Sequence, residues 1–228
     1  MSLLEIRALQ KGYRSPDGQR QAVIDIPEFS LAAGQAVALA GPSGSGKTTF
    51  LHLIAGILTP DSGSIRIDGE ELVGMDEHHR DRLRATAIGY IFQSFNLLQG
   101  FTCLENVLLG MSFGGGIDRP RAEALLRRVG LADRLHHFPR QLSTGQQQRV
   151  AVARAMAGKP KLVLADEPTG NLDPANARES LALIRESCAE NGSALLLVSH
   201  DRDILKAFDE VPSLADINRA ARSQSLRA

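Results

Sequence analysis

Gly41-Pro42-Ser43-Gly44-Ser45-Gly46-Lys47-Thr48-Thr49 is the stretch whose reading decides the fold. The apolar run Ala36-Val37-Ala38-Leu39-Ala40 precedes it, and Phe50-Leu51-His52-Leu53-Ile54-Ala55, a helix-compatible segment, follows it. Buried strand, glycine loop, helix is the context that a G-x-x-x-x-G-K-[ST] pattern requires. Glycines reach backbone angles closed to other residues, so successive N–H groups curl around a phosphate at a positive helix start. Residues Gly41, Ser43, Gly44, Ser45, Gly46 and Thr49 form the expected cradle, Lys47 reaches the terminal phosphates, and the Thr48 hydroxyl completes a Mg²⁺ shell. A glycine-rich turn before an ordinary helix is the competing reading, and the flanking elements disfavour it.

With 228 residues the chain can bury a full core and suits one α/β domain with a smaller appended lobe. Its 26 basic and 26 acidic residues cancel, so no summed charge draws it to nucleic acid, and no nucleic-acid partner is expected. Cys103 and Cys188 are its two cysteines. They lack metal-ligand spacing, which points to a reducing compartment and to packing roles. No apolar run approaches the roughly eighteen residues of a membrane span, so the expectation is a soluble chain or one held at a membrane by a partner.

Residues 3–9 and 22–31 read as antiparallel strands on either side of the turn-like Ser15-Pro16-Asp17-Gly18, and Ser64-Ile65-Arg66-Ile67-Asp68-Gly69 alternates like a third strand of the same small sheet. Residues 76–86 have helical period, and Ile88-Gly89-Tyr90-Ile91-Phe92 reads as a strand leading into Gln93. Residues 94–158 turn mostly helical and are expected to form an inserted lobe. Leu162-Val163-Leu164-Ala165 and Ala194-Leu195-Leu196-Leu197-Val198 are uninterrupted apolar runs, as in strands covered on both faces of a parallel sheet. A crossover helix over 174–190 opens with Asp173-Pro174, and residues from about 210 to 228 read as a tail. The fold class expected is α/β, a P-loop NTPase with a mainly parallel core sheet, an N-terminal antiparallel β subdomain and an inserted α-helical subdomain.

A P-loop alone names no reaction. Asp166-Glu167 places two carboxylates just past a buried strand, with the P-loop expected on a neighbouring strand. Asp166 is suited to hold Mg²⁺ through water, and Glu167 to polarise a water that attacks a γ-phosphate. Leu142-Ser143-Thr144-Gly145-Gln146 opens another helix, with Ser143 as N-cap and free N–H groups beyond it. Two phosphate-suited helix starts and one nucleotide per chain suggest action from opposite subunits.

These motifs, in this order from Tyr13 to His200, resemble the ATP-binding subunits of ABC transporters, and Leu142–Gln146 is similar to that family's LSGGQ signature. The resemblance implies ATP as ligand with Mg²⁺, and an ATP-sandwiched homodimer in which Ser143, Gly145 and Gln146 complete the partner's site. It further implies that Tyr13 stacks on adenine and that Gln93 contacts Mg²⁺ and reports to a permease. Asp173 would belong to a loop at the dimer interface, and His200 would bond the γ-phosphate. Lys47, Gln93, Glu167 and His200 are thus the expected catalytic set, and Thr48, Gln93 and Asp166 the expected metal ligands. Thr144 stands where the family usually has glycine; with Glu167 and His200 intact, the chain is expected to hydrolyse ATP nonetheless.

Asp166-Glu167-Pro168-Thr169-Gly170-Asn171-Leu172-Asp173 is similar to the lipoprotein-releasing, macrolide-export and cell-division branch of LolD, MacB and FtsE types. That branch implies an integral membrane permease of the FtsX/MacB-like type and a place on the cytoplasmic face of the inner membrane. Phe95, Leu98 and Phe101 would either face that permease or fill the lobe core. The alternative is a soluble ABC-type ATPase of DNA repair or chromosome maintenance. It would need a long coiled coil or zinc modules between Lys47 and Asp166, where no sustained heptad or cysteine cluster occurs.

Overall fold

The computed structural model describes residues 2–14 and 18–220. Two four-stranded sheets organise it. In the first, β1 (Ser2–Arg14) pairs antiparallel with β2 (Arg20–Ala32) and β4 (Ser62–Ile67), and β5 (Glu70–Glu71) closes the edge, giving the order β2-β1-β4-β5. The expected small antiparallel sheet is present, with longer strands than alternation alone indicated. Of the turn between its first strands, Ser15-Pro16-Asp17 lies outside the described residues.

The second sheet is wholly parallel, in the order β3 (Ala36–Ala40), β8 (Ala194–Ser199), β7 (Leu162–Asp166), β6 (Ile88–Ile91). Side-chain alternation explains its apolar runs. Leu39, Leu162, Leu164, Leu196 and Val198 pack with Phe50, Leu53 and Ile54 of α1 (Lys47–Ile54) and with Leu4, Ile6 and Ile65 of the first sheet. Ala38, Val163, Ala165, Leu195 and Leu197 point the other way, onto Leu181, Ile184 and Cys188 of α6 (Pro174–Asn191) and Val152 and Met156 of α5 (Thr144–Met156). With both faces covered, no position in β7 or β8 tolerates water, so neither strand alternates polar with apolar.

The helix expected over 76–86 is α2 (Glu77–Ala87), capped by Asp76, whose side chain accepts from the His79 N–H. Within 94–158 lie α3 (Cys103–Ser112), α4 (Arg119–Arg128), a 3₁₀ turn over Pro139–Gln141, and α5. Cys103, Leu104, Val107, Met111, Ala122, Leu126, Val150 and Ala153 form an apolar cluster of their own, so α5 is buried on one side against the sheet and on the other against α3 and α4.

The segment from about 210 departs from the tail expectation. Ala38 and Ala40 donate to the Glu210 and Pro212 carbonyls, and Leu214 of α7 (Leu214–Ile217) is fully buried. The buried Asn218 amide bridges β2, accepting from the Asp25 N–H at 2.8 Å and donating to the Val23 carbonyl at 2.8 Å. Its Ala- and Arg-rich composition gave no sign of this, because the attachment runs through backbone bonds to β3 and through two side chains, Leu214 and Asn218. Residues 221–228 lie outside the described residues.

Candidate active site

Parallel strands present their carboxyl ends on one edge, and ligands gather there. Here that edge carries the P-loop after β3, His200 after β8, Asp166 and Glu167 at the end of β7, and Gln93 after β6. The order corrects one expectation. The strand beside the P-loop strand is β8, not β7, so His200 emerges between the P-loop and the acidic pair. Strand order depends on which runs pair across long loops, which residue spacing does not contain.

The P-loop turns through Gly46, at φ 94°, into α1. A Cβ there would also sit 3.2 Å from the Val23 carbonyl oxygen, so the close approach of β2 and the positive φ both require glycine. Val23 lies two residues from Gln21, the cross-strand partner of Tyr13, which brings the half-exposed Tyr13 ring to the P-loop side of the first sheet. The Lys11 ammonium lies 5.7 Å from its centroid.

Lys47, the first residue of α1, is only 4% exposed. Its ammonium donates to the Gly41 and Pro42 carbonyls at 2.8 and 2.9 Å and pairs with Glu167 Oε1 at 3.0 Å. The other oxygen of Glu167 meets His200 Nδ1 at 2.6 Å. Thus one carboxylate joins the P-loop lysine to the histidine after β8. Glu167 itself sits at φ 42°, a left-handed conformation costly for a residue with a Cβ. Its N–H donation to the Val198 carbonyl at 3.0 Å and its side-chain contacts with Lys47 and His200 hold it there. Asp166 is buried beside it, and burial foremost pushes its carboxyl above the ordinary range, while the hydrogen-bonded Thr48 hydroxyl pulls it down. Asp166 Oδ1 and the Ser45 hydroxyl are buried without a partner. Oxygens orphaned in this way suit a hard divalent cation. Among the described residues no group of three or more His, Cys, Asp or Glu gathers to hold one.

Gln93 is exposed, and its side-chain nitrogen lies beside Gly170. Among the described residues no hydrogen bond joins it to Thr48 or Asp166. Asn171 holds the Gln93 carbonyl with its side-chain nitrogen at 2.8 Å, a link between the loops after β6 and β7 that the sequence reading missed. It also missed Arg154, whose guanidinium donates to the Phe95 and Asn96 carbonyls at 2.6 and 2.5 Å and whose pKa burial pushes down to about 10. Both partners sit at positive φ, 60° and 49°, so Arg154 pins a strained turn just beyond Gln93. Asn171 lies inside the matched 166–173 stretch, whereas Arg154 lies beyond the Leu142–Gln146 motif with no local pattern to mark it.

Ser143 caps α5, accepting from the Gln146 N–H at 3.3 Å while the Gln146 side chain accepts from the Ser143 N–H at 3.0 Å. Asp173 caps α6. Among the described residues no hydrogen bond or ion pair ties Ser143, Gly145, Gln146 or Asp173 to the P-loop. Thr144 is the first residue of α5 and is not at positive φ, so its β-branched side chain is unstrained where the family has glycine. Phe95 is buried in the α3–α5 cluster, whereas Leu98 and Phe101 are exposed.

Residues 24–170 match the model of the ABC transporter family. A lipoprotein-releasing system ATP-binding protein LolD of Maricaulis maris is 41% identical over 217 residues, covering 94% of each chain. The macrolide export ATP-binding/permease protein MacB of Syntrophobacter fumaroxidans is 40% identical over 226 residues, which are 95% of this chain but 31% of that one. The dimeric structure of the ATP-binding cassette MJ0796 with ADP and Pi superposes with a TM-score of 0.84 at 32% identity, covering 92% of this chain and 94% of that one. With its P-loop, acidic pair and His200 on one sheet edge, and with these relatives spanning nearly its whole length, the chain belongs to the ABC transporter family as an ATP-binding, ATP-hydrolysing subunit.

Proposed function

We propose that two copies of this chain close around two ATP molecules and drive an integral membrane permease of the FtsX/MacB-like type from the cytoplasmic face of the inner membrane, in export, lipoprotein release or mechanotransmission. The Lys47–Glu167–His200 chain of contacts carries the chemical part of this reading. An arriving γ-phosphate competes with Glu167 for the Lys47 ammonium. Lys47 then neutralises phosphate charge, and the released Glu167 carboxylate orients a water for in-line attack. The water oxygen bonds to phosphorus as the bond to the β,γ-bridging oxygen breaks, giving ADP and inorganic phosphate. His200, still beside Glu167, donates toward the γ-phosphate. Thr48, Asp166 and Gln93 would hold Mg²⁺, which when bound supplies countercharge to the phosphates. Tyr13 offers its exposed face to adenine.

The dimer is supported by the position of the α5 and α6 starts, with Ser143 and Asp173 exposed and unconnected to their own P-loop, and by the dimeric form of the MJ0796 cassette. Residues 94–158 serve as the lobe that meets the permease. At its border a groove of about 850 Å³ runs between α2 and α3, lined by Arg84, Tyr90, Phe92, Phe113 and Arg154 among others. Exposed Leu98, Phe101, Phe113 and Ile117 add apolar surface on the same 94–158 stretch. A chromosome or repair ATPase is not favoured, since α3, α4 and α5 are helices of 10, 10 and 13 residues and not a coiled-coil insertion. Glu167→Gln tests the reading: with saturating ATP it should accumulate as a dimer by light scattering. A monomer under those conditions would sink the sandwich.

A further inference from the structure

The amino-terminal turns of α5 and α6 lie against each other, and the contact is narrow. Gly145 is buried, and a Cβ added to it would stand 3.0 Å from Asn176 Oδ1. The same Asn176 side chain donates through Nδ2 to Asp173 Oδ2 at 2.5 Å, while Asp173 Oδ1 accepts from the N–H groups of Ala175 and Asn176 at 3.1 and 3.2 Å. Both oxygens of Asp173 are therefore used inside its own loop, and these bonds, with Asn176 first among them, hold its carboxyl below the usual carboxylate range. One turn further along the seam, Arg149 of α5 pairs with Glu179 of α6 at 2.9 Å.

We infer that Asn176 is a positioning residue that, tied to Asp173, braces the Asp173 loop by close packing against the Ser143–Gln146 turn, and that Gly145 is glycine to leave room for it. The two segments then move as one body. This rests on the proposed dimer, because it is there that both segments reach the partner copy. In that setting Asp173 acts through its loop conformation, and Asn176 sets the distance between the loop and the Ser143 hydroxyl. A glycine kept only for close approach to phosphate has no need of Asn176.

The test is a double-mutant cycle on the full chain with Gly145→Ala, Asn176→Ala and both together. Gly145→Ala should lower ATPase by about tenfold, Asn176→Ala by about threefold, and the double variant should recover about fivefold over Gly145→Ala, as coupled neighbours do. Thermal unfolding without nucleotide should show the same non-additivity, Gly145→Ala losing several degrees and the double variant regaining part of them. Asn176→Asp, equal in size, sets a second carboxylate against Asp173 and should lose more ATP-dependent dimer than Asn176→Ala when each is combined with Glu167→Gln. Additive melting losses overturn the inference whatever the dimer does. Coupled melting with a double variant as inactive as Gly145→Ala also overturns it, placing the need for glycine at the ligand. A Glu167→Gln chain that never pairs, with melting still coupled, overturns the dimer reading and leaves the Asn176–Gly145 contact standing.

Discussion

Asp166 and Glu167 are adjacent carboxylates with opposite fates. Glu167 is 12% exposed and has a partner on each oxygen, the Lys47 ammonium and the His200 imidazole, whereas Asp166 is buried with one oxygen bare. Removing the buried charge should therefore stabilise the fold while disabling it. Asp166→Asn is expected to raise Tm at pH 7 by about 2–4 °C and to lower Mg²⁺-dependent ATPase by a hundredfold or more, on the order of one lost charge-stabilising group. The pH dependence has a definite sign. With its folded-state pKa raised, Asp166 costs stability above that pKa, and the cost fades as pH falls through it toward the unfolded value. The melting advantage of Asp166→Asn should thus shrink on acidification. Calorimetry between pH 7 and pH 4 checks this, and an advantage that grows would contradict the assigned cause.

At the scale of elements, the strongest local signals were the ones that act within a few residues. Asp173 as cap of α6 and Ser143 as cap of α5 were legible because a cap and its N–H partners are sequence neighbours. Thr144 shows what that locality decides. At the first position of a helix the backbone is ordinary, so Thr144→Gly should leave ATPase within about threefold and cost a few tenths of a kcal/mol in helix propensity. Activity absent in the native chain and restored by glycine would refute this. Asn106 was not legible. Its buried amide accepts from the Leu98 N–H and donates to the carbonyls of Leu98, Phe101 and Thr102, at 2.9–3.2 Å, and so shapes the loop that turns Leu98 and Phe101 outward. Asn106→Ala leaves those groups unsatisfied and should cost about 2–4 kcal/mol by urea denaturation.

For the whole molecule, the division of surface is the consequence that matters. Lys47, Asp166, Glu167 and His200 lie at one edge of the parallel sheet, while Leu98 and Phe101 stand exposed on the 94–158 stretch. Leu98→Asp with Phe101→Asp should therefore keep ATPase of the isolated chain within about twofold, since no group near phosphate is touched. Co-purification with a membrane permease should be lost. Loss of basal ATPase with folding intact would show that these residues belong to the hydrolytic site instead.

The sequence by itself determined the P-loop, the acidic pair, His200, the family and the two kinds of sheet, because each is written in contiguous residues with a fixed spacing or period. Tertiary structure alone decided that β8 lies between β3 and β7, that Glu167 bridges Lys47 to His200, that Asn171 holds Gln93 and Asn176 faces Gly145, and that residues 210–220 are packed. Those contacts join groups brought together by loop closure and by which apolar face meets which, and neither the order of strands nor a carboxylate's choice of cation leaves a local pattern in the chain.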